Sequence, residues 1–341
     1  MQKKQYNKLK LFNISCLLAL GVLTPTWACN ASHVLGVGGS GAVYTMSANT
    51  MEKGNFYIGV NTERVSNKTL VDKTIIDDMK SGTIHIHSID AISSNSLSAS
   101  YGITDTLTLN MQLPYTSRMN IRAGEEEDGA YEVHAHGDSK GLGDISAILQ
   151  YKIYDEEEIK IAFLAGIKAP TGKTDVSDGH EVLEADLQPG SGSWDIFAGA
   201  ALTKDFENFS IHSSVLYKYN NKGVSDSRLG NVFTYNGAVS YKLIEDTHNH
   251  VLRELDAEED FGYSVDVFVE LNGEKADKDH FSGVIANNTG HNVIFATAGI
   301  QVSTEKGYSL FFTGSTPIYQ NFKGVQNDIS YKSSVGIGKS F

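Results

Sequence analysis

The sequence FGYSVDVFVELN at residues 261–272 alternates between two kinds of side chain. Apolar residues occupy every second position from Phe261 to Leu271, and the positions between them are polar or small except for Phe268. The stretch at 232–243 has the same alternation. Because neighbouring residues of a β-strand point to opposite faces, this pattern predicts strands with one apolar and one polar face.

Twelve stretches of this kind follow one another along the chain. We predict strands at 55–64, 95–103, 106–114, 143–153, 159–169, 193–203, 208–219, 232–243, 261–272, 292–302, 307–317 and 331–341. Most of them have nine to twelve residues. That is about the length that a tilted strand needs to cross a bilayer. The pattern therefore predicts an all-β, antiparallel transmembrane barrel.

The predicted connections alternate in length along the chain. Every odd-numbered connection is long, whereas four of the five even-numbered ones have five residues or fewer. Transmembrane barrels are built in this way, with long external loops and short periplasmic turns. The exception, at 244–260, contains His248, His250 and several acids. It predicts either an unusually long periplasmic turn or misplaced strand ends.

The N-terminal residues have the pattern of an export signal. Four lysines among residues 1–10 precede a mostly apolar stretch at 11–23, and Ala28 supplies the small residue before a cleavage site. Such a segment is too short for a stable membrane-spanning helix. We therefore predict a signal peptide at 1–28. Lipid modification of Cys29, which would be the first mature residue, stays open.

Composition and charge exclude other classes of protein. The chain has 341 residues, with 33 Gly and only 5 Pro, and its net charge is −13 at pH 7. Such an acidic chain does not suit a nucleic-acid binder, which must neutralise phosphates. Of the two cysteines, Cys16 lies in the predicted signal, so we expect no internal disulfide.

The glycine-rich run from Gly36 to Gly41 matches the glycine spacing of a dinucleotide-binding motif but not its sequence context. It has no strand before it, no amphipathic helix after it and no phosphate-loop lysine. We interpret residues 29–54 as an N-terminal periplasmic segment or a plug that folds into the barrel.

Histidines and acids in the predicted loops raise the question of metal binding. The pairs His85/His87 and His134/His136 have donors that suit zinc or copper, but neither pair has a third ligand at a fixed spacing. We expect solvated histidines, and no metal or other cofactor. The acidic cluster at 125–128 either holds divalent cations or solubilises its loop.

We predict no catalytic residues. His212 faces inward with Ser210 and Ser214, but residues two apart on a strand lie about 7 Å from each other. Activation of a serine by His212 would therefore need a serine on a neighbouring strand.

The polar register of the strands predicts which charged side chains face the interior and line a pore. They are Lys152, Lys160, Lys168, Asp195, His212, Lys218, Lys242, Asp266, Glu270 and Lys332. The excess of lysine predicts a preference for anionic or neutral polar solutes. Alternatively, lysines near strand ends extend to water and select nothing. Unchanged ion selectivity after Lys168→Glu with Lys332→Glu would contradict the first interpretation.

Six short motifs in order resemble a known family. They are Ser100-Tyr-Gly-Ile-Thr-Asp105 leading to Leu113-Pro-Tyr115, Gly141-Leu-Gly-Asp144, Gly166-Ile-Lys-Ala-Pro-Thr-Gly172, Gln188-Pro-Gly-Ser-Gly-Ser-Trp-Asp195, Glu270-Leu-Asn-Gly-Glu274 and Thr316-Pro-Ile-Tyr-Gln320. From about residue 43 onward the chain is similar to the bacterial outer-membrane proteins named for the meta-pathway of phenol degradation. The resemblance implies an outer-membrane barrel for uptake of small, often aromatic or hydrophobic compounds. It implies no catalytic residue, and Ala169 departs slightly from the family's pattern.

These observations predict a porin-like transporter barrel of about twelve strands at 55–341 in a bacterial outer membrane. Its expected function is passive uptake of small solutes. The alternative is a non-conducting structural or adhesive surface barrel that acts through its external loops, and an enzyme is not expected. The expected partners are membrane lipid, lipopolysaccharide, a small solute and the barrel-assembly machinery, the last through the C-terminal strand ending at Phe341.

Overall fold

Twelve long antiparallel strands make one sheet in the computed structural model, which describes residues 42–83, 86–246 and 262–341. They are β1 (Phe56–Asn67), β2 (Ala91–Thr104), β3 (Leu107–Glu127), β4 (Ile145–Glu156), β5 (Ile159–Ala169), β6 (Asp195–Asp205), β7 (Phe209–Tyr219), β8 (Val232–Asp246), β9 (Tyr263–Ala276), β10 (His291–Thr304), β11 (Tyr308–Phe322) and β12 (Ile329–Ser340).

The sheet closes because its first and last strands pair. β1 pairs with β2 on one side and with β12 on the other, and every other strand pairs with its neighbours in chain order. A closed sheet has no edge, so its backbone N–H and C=O groups are paired within the wall, as a bilayer requires. The prediction of a twelve-stranded antiparallel barrel is confirmed.

The two faces of the wall differ in polarity. On β9, Val269 and Leu271 point outward and are 59% and 56% exposed, whereas Glu270 and Asn272 are buried on the inner face. Exposed aromatic residues mark both ends of the outer face, where Tyr and Trp favour the membrane–water interfaces. Near the short turns these are Phe56, Tyr101, Tyr151, Tyr154, Phe209, Tyr241, Tyr263, Tyr308 and Phe341; near the long loops they are Tyr115, Trp194, Tyr219, Phe233, Tyr319 and Tyr331.

β3 is much longer than the predicted strand at 106–114, which ended at Pro114. β3 pairs with β4 up to Gln112 and with the strand Ala130–Leu142 from Tyr115 onward. Pro114 lies in the gap between these two ladders, where its missing N–H breaks no hydrogen bond on that side. The strand therefore continues through the proline into an outer hairpin.

The long connections carry small elements of their own. They contain helix α1 (Asp72–Lys80), a 3₁₀ turn (Val224–Asp226) and the short strands His87–Ser88, Ser227–Arg228, His280–Phe281 and Val284–Ile285. None of the helices in the described part of the chain is long and apolar enough to cross a membrane.

Several predicted features lie outside the described residues. They are the signal peptide at 1–28, Cys29, the glycine-rich run, His85, His248 and His250. The exceptional connection, predicted at 244–260, runs from the end of β8 at Asp246 to the start of β9 at Tyr263, and its residues 247–261 also lie outside.

Candidate transport pathway

Residues 42–51 lie inside the barrel, and residues 52–54 are exposed at its periplasmic end. Val43 and Tyr44 pack against Phe268 and Phe311 of the inner wall, and further along Met46 and Ala48 pack in a second apolar cluster. The backbone of this segment is bound by side chains from several strands. An extended segment has free N–H and C=O groups, so it can satisfy the polar side chains that a barrel of this width turns inward.

Glu270 on β9 holds the inner end of the segment. Its Oε1 accepts the N–H of Val43 at 2.9 Å, and its Oε2 accepts the N–H of Thr45 at 2.8 Å. The N–H of Tyr44 and the hydroxyl of Thr45 also donate to this carboxylate. The Glu270 carboxylate is therefore the common hydrogen-bond acceptor for the backbone of residues 43–45.

Lys332 on β12 contacts the same end of the segment. Its Nζ lies 3.6 Å from the centre of the Tyr44 ring and 4.7 Å from that of Phe295. The Glu63 carboxylate of β1 lies 3.9 Å from the same nitrogen, and both side chains are almost fully buried. A buried ammonium needs such compensation, and aromatic faces and a carboxylate supply it.

The other end of the segment leaves through the periplasmic side. Gly54 N–H donates to Gly102 O at 2.8 Å, and Lys53 N–H donates to Asp105 in the short β2–β3 turn. Between these ends, Gln150 donates to the carbonyls of Ser47 and Asn49. The segment therefore enters from the periplasm and reaches the middle of the barrel.

A cavity of about 160 Å³ lies beyond the inner end of the segment. Tyr44 and Met46 border it on the segment side, and Gln188 and Pro189 of the loop 170–194 border it on the outer side. Its wall carries both charged and apolar groups, including Arg118, Lys168, Lys218, Asn236, Leu229 and Phe295.

A buried charge cluster closes the outer side of this cavity. Nζ of Lys168 lies 2.8 Å from Asp144 Oδ2 and 2.6 Å from Asp195 Oδ2, and it also contacts Ser191. Asp144 accepts the N–H groups of Gly172 and Ser191 as well. The two ends of the loop 170–194 are thereby tied to the barrel rim.

His87, in the short strand that pairs with β3, ties the same loop at a second point of the mouth. Its Nε2 lies 3.1 Å from Glu184 Oε2, and its Nδ1 lies 3.6 Å from Asp186 Oδ2. Burial opposes the charged form of His87, but hydrogen bonds to Asp186 and Glu184 outweigh it and raise the pKa of His87 to about 10. The imidazole is therefore protonated at neutral pH and bridges two carboxylates.

Asp279 gives the outer loops a dependence on pH. It accepts the Gly230 N–H at 2.6 Å, and burial together with the nearby Asp186 charge raises its pKa to about 7. Because the native loop prefers protonated Asp279, we expect its stability to be greatest below about pH 4 and to fall as the pH rises to about 7. Amide hydrogen exchange in residues 277–290, corrected for intrinsic rate, should therefore be slower at pH 4.5 than at pH 6.5.

Asp279→Asn should remove that difference, since the amide keeps an acceptor for Gly230 but does not titrate. The bridge at His87 does not interfere, because its contribution is fully present below the unfolded-state pKa of about 6.5. An unchanged difference in Asp279→Asn would assign the effect to another group.

The ten predicted interior residues all lie on the inward-facing register of their strands. Lys168, Asp195, His212, Glu270 and Lys332 are buried, and Lys218 borders the cavity. The other four lie towards the periplasmic end, where Lys152 and Lys160 pair with Asp155 and Asp205 and where Lys242 stands opposite Asp266. That these residues line a conducting pore stays a prediction.

The described interior holds more carboxylates than the sequence prediction counted. Sequence reasoning missed Glu63, Asp144 and Glu274, which face inward next to Lys332, Lys168 and His291. Glu63 follows Asn61 in the polar register and could have been found, whereas Glu274 lies beyond the predicted strand end at 272. Reversing Lys168 and Lys332 would thus disrupt buried ion pairs before it tested selectivity.

His212 does have a serine on the neighbouring strand. Its Nε2 lies 3.3 Å from Ser240 Oγ, and its Nδ1 lies 3.0 Å from Thr203 Oγ1. The Thr203 hydroxyl also accepts the Ala48 N–H at 2.9 Å, so it links the N-terminal segment to His212 on the inner wall.

The closed wall, the apolar outer face and the polar interior define a porin-like β-barrel of the outer membrane. The family described as "Putative MetA-pathway of phenol degradation" matches residues 92–315, and the chain belongs to this family. The resemblance noted in the sequence is thereby confirmed. None of the curated proteins matches the chain.

Comparison with solved structures finds similar outer-membrane barrels, and for COG4313 the likeness shows a shared fold. The COG4313 outer membrane channel from Pseudomonas putida F1 has a TM-score of 0.56 at 14% identity, with 86% of this chain and 98% of that chain covered. LpxR from Salmonella typhimurium has a TM-score of 0.42 at 11% identity, covering 84% and 99%. The CymD monoaromatic hydrocarbon channel has a TM-score of 0.39 at 10% identity, covering 85% and 89%.

Proposed function

We propose that this barrel is a channel for passive uptake of small solutes across the outer membrane, closed at rest by residues 42–54 and by the outer loops. The cavity of about 160 Å³ carries this proposal. It lies inside the barrel wall in the path between the two mouths, with the N-terminal segment on one side and the loop 170–194 on the other. A barrel that served only as a scaffold has no need of such a space.

The size and lining of the cavity indicate the kind of solute. An engineered apolar cavity of about 150 Å³ holds one benzene molecule. The cavity here has similar volume, apolar contacts from Phe295 and Leu229, and donors on Arg118 and Lys218. A small aromatic compound with a polar or anionic substituent fits this combination.

A non-conducting surface barrel remains the second candidate function. The observation in its favour is that the interior is occupied, with the Val43–Thr45 backbone bound to Glu270 and the loop 170–194 tied down at Lys168 and His87. In that case the external loops would carry the function.

Single-channel recording of the folded full chain in a planar bilayer distinguishes the two. For a channel we expect brief openings of low conductance and only weak ion selectivity in a salt gradient, because the interior lysines are balanced by carboxylates. Adding phenol-sized aromatic compounds should block the current in a concentration-dependent way. A silent bilayer, from protein shown to be folded, would favour the surface barrel.

Export and assembly complete the proposal. We infer that residues 1–28 direct export and that the C-terminal strand is recognised by the barrel-assembly machinery. In support, Phe341 exchanges both backbone hydrogen bonds with Phe56 at the seam between β1 and β12, and its side chain is exposed to lipid.

A further inference from the structure

The outer hairpin, formed by the end of β3 and the strand Ala130–Leu142, gathers histidine and carboxylate side chains on one face. Ala123 stands opposite His134, and Glu125 stands opposite Glu132. Because residues two apart on a strand share a face, Glu125, Glu127 and His134 point to the same side. One ligand atom from each of these three residues lies within 4.8 Å of the other two.

The separations suit a shared ion better than direct hydrogen bonds. Nδ1 of His134 lies 3.9 Å from Glu125 Oε2, beyond hydrogen-bond range. Two ligands that each lie about 2.0–2.2 Å from one ion are separated by roughly 3–4 Å. The other ring nitrogen of His134, Nε2, lies 4.0 Å from the Oε2 of Glu132, which is outside this group.

His136 and Asp178 hold Glu125 in place. Nε2 of His136 lies 3.0 Å from Glu125 Oε1, and Nδ1 lies 2.6 Å from Asp178 Oδ2. The N–H groups of Glu181 and His180 donate to Asp178 and, with His136, lower the pKa of that carboxyl well below its usual range. Carboxylates that ligate metals in proteins are commonly held by such hydrogen bonds.

We propose that Glu125, Glu127 and His134 form a binding site for a divalent transition-metal ion on the extracellular rim, with His136 and Asp178 as positioning residues. One imidazole and two carboxylates suit zinc or copper, whereas calcium and magnesium favour oxygen ligands alone. Sequence reasoning favoured solvated histidines because the third ligand comes from across the hairpin. The site does not depend on whether the barrel conducts.

A second group, His87 with Glu184 and Asp186, does not share this geometry. The two nitrogens of His87 face different carboxylates at 3.1 and 3.6 Å, which is the arrangement of an ion-pair bridge. It therefore supplies a comparison, and so does His280 of the short strand His280–Phe281, which is in neither group.

Calorimetric titration of the folded full chain with Zn²⁺ alone tests the site. We expect saturable binding that weakens at least tenfold in His134→Asn and stays unchanged in His280→Asn. Heat-modifiable migration in gels confirms that each variant is folded. Loss of a second-shell group costs about 10–100-fold in metal affinity, and this is the effect expected for His136→Asn.

Electron paramagnetic resonance of bound Cu²⁺ separates ligands from positioning residues. We expect one imidazole nitrogen in the spectrum, retained in His136→Asn and lost in His134→Asn. Absence of saturable Zn²⁺ binding, equal affinity in His134→Asn, or a loss confined to His87→Asn would overturn the proposal. If Ca²⁺ binds as tightly as Zn²⁺ and His134→Asn does not change the affinity, the carboxylates bind cations without the histidine and the proposal is wrong.

Discussion

In the proposed channel, Glu270→Ala will increase the open fraction by about 100-fold or more. The substitution removes the acceptor for the N–H groups of Val43, Tyr44 and Thr45. Hydrogen bonds to a charged group contribute about 1.5–3 kcal/mol each, and every 1.4 kcal/mol is about a tenfold change in an equilibrium. Losing even 3 kcal/mol of this anchoring shifts the closed–open equilibrium by two orders of magnitude. Single-channel open probability in a planar bilayer measures it.

Asp266→Ala is the matched control, because it removes the same charge from the same face of β9 nearer the periplasmic end. We expect little change in open probability for this variant. Equal increases in both variants would show that the interior charge, and not the anchoring of the segment, determines opening.

A disulfide between the segment and the wall tests whether opening requires the segment to move. Ala48 N–H lies 2.9 Å from Thr203 Oγ1, so cysteines at these two positions are neighbours. In a Cys29→Ser background with Glu270→Ala, oxidation of this pair should abolish the added current and reduction should restore it. Each single cysteine variant should be insensitive to both treatments. Current that persists through the oxidised bond would mean that solutes pass beside the segment.

The periodicity of the strands predicts the wall of the barrel well, because a membrane imposes one rule on every strand. Outward residues such as Val269 meet hydrocarbon and inward residues such as Glu270 do not, so alternation alone locates the strand. Prediction fails where other constraints act. The sequence predicts that a strand ends at Pro114, but in the structure β3 continues through Pro114, which lies between two ladders of backbone hydrogen bonds.

The interior is harder to predict, since its contacts join residues far apart in the chain. Residues 43–45 contact Glu270 across more than 220 positions, and nothing in either stretch indicates the other. Glu63 and Asp144 lie in or beside predicted strands, but their pairing with Lys332 and Lys168 depends on how the sheet closes. Counting inward lysines therefore overestimates the positive charge of the interior, although each lysine is placed on the inward register.

Lys168→Met will destabilise the folded barrel by about 3–5 kcal/mol, because it leaves the buried carboxylates of Asp144 and Asp195 without their cation. The side chains of these two residues are only 4% and 1% exposed. Equilibrium unfolding in urea, followed through Trp194 beside Asp195, measures the loss. Residues 170–192 should also become sensitive to protease from the outside, since Lys168, Asp144 and Ser191 fasten that loop.

Lys160→Met is the matched control at the other end of the same strand. Its pair with Asp205 is partly exposed, at 25% and 32%, so its loss should cost no more than about 1 kcal/mol. Adding Asp144→Asn and Asp195→Asn to Lys168→Met should recover most of the stability, because the destabilisation comes from unpaired buried charge and not from the missing lysine. If the triple variant were as unstable as Lys168→Met, the cluster would stabilise the barrel through packing or the Ser191 hydrogen bonds and not through charge pairing. The protease sensitivity of the same triple variant shows whether charge fastens the outer loop. If the triple variant is stable but residues 170–192 are still cleaved, the ion pairs hold the loop closed and the stability of the barrel wall does not depend on them.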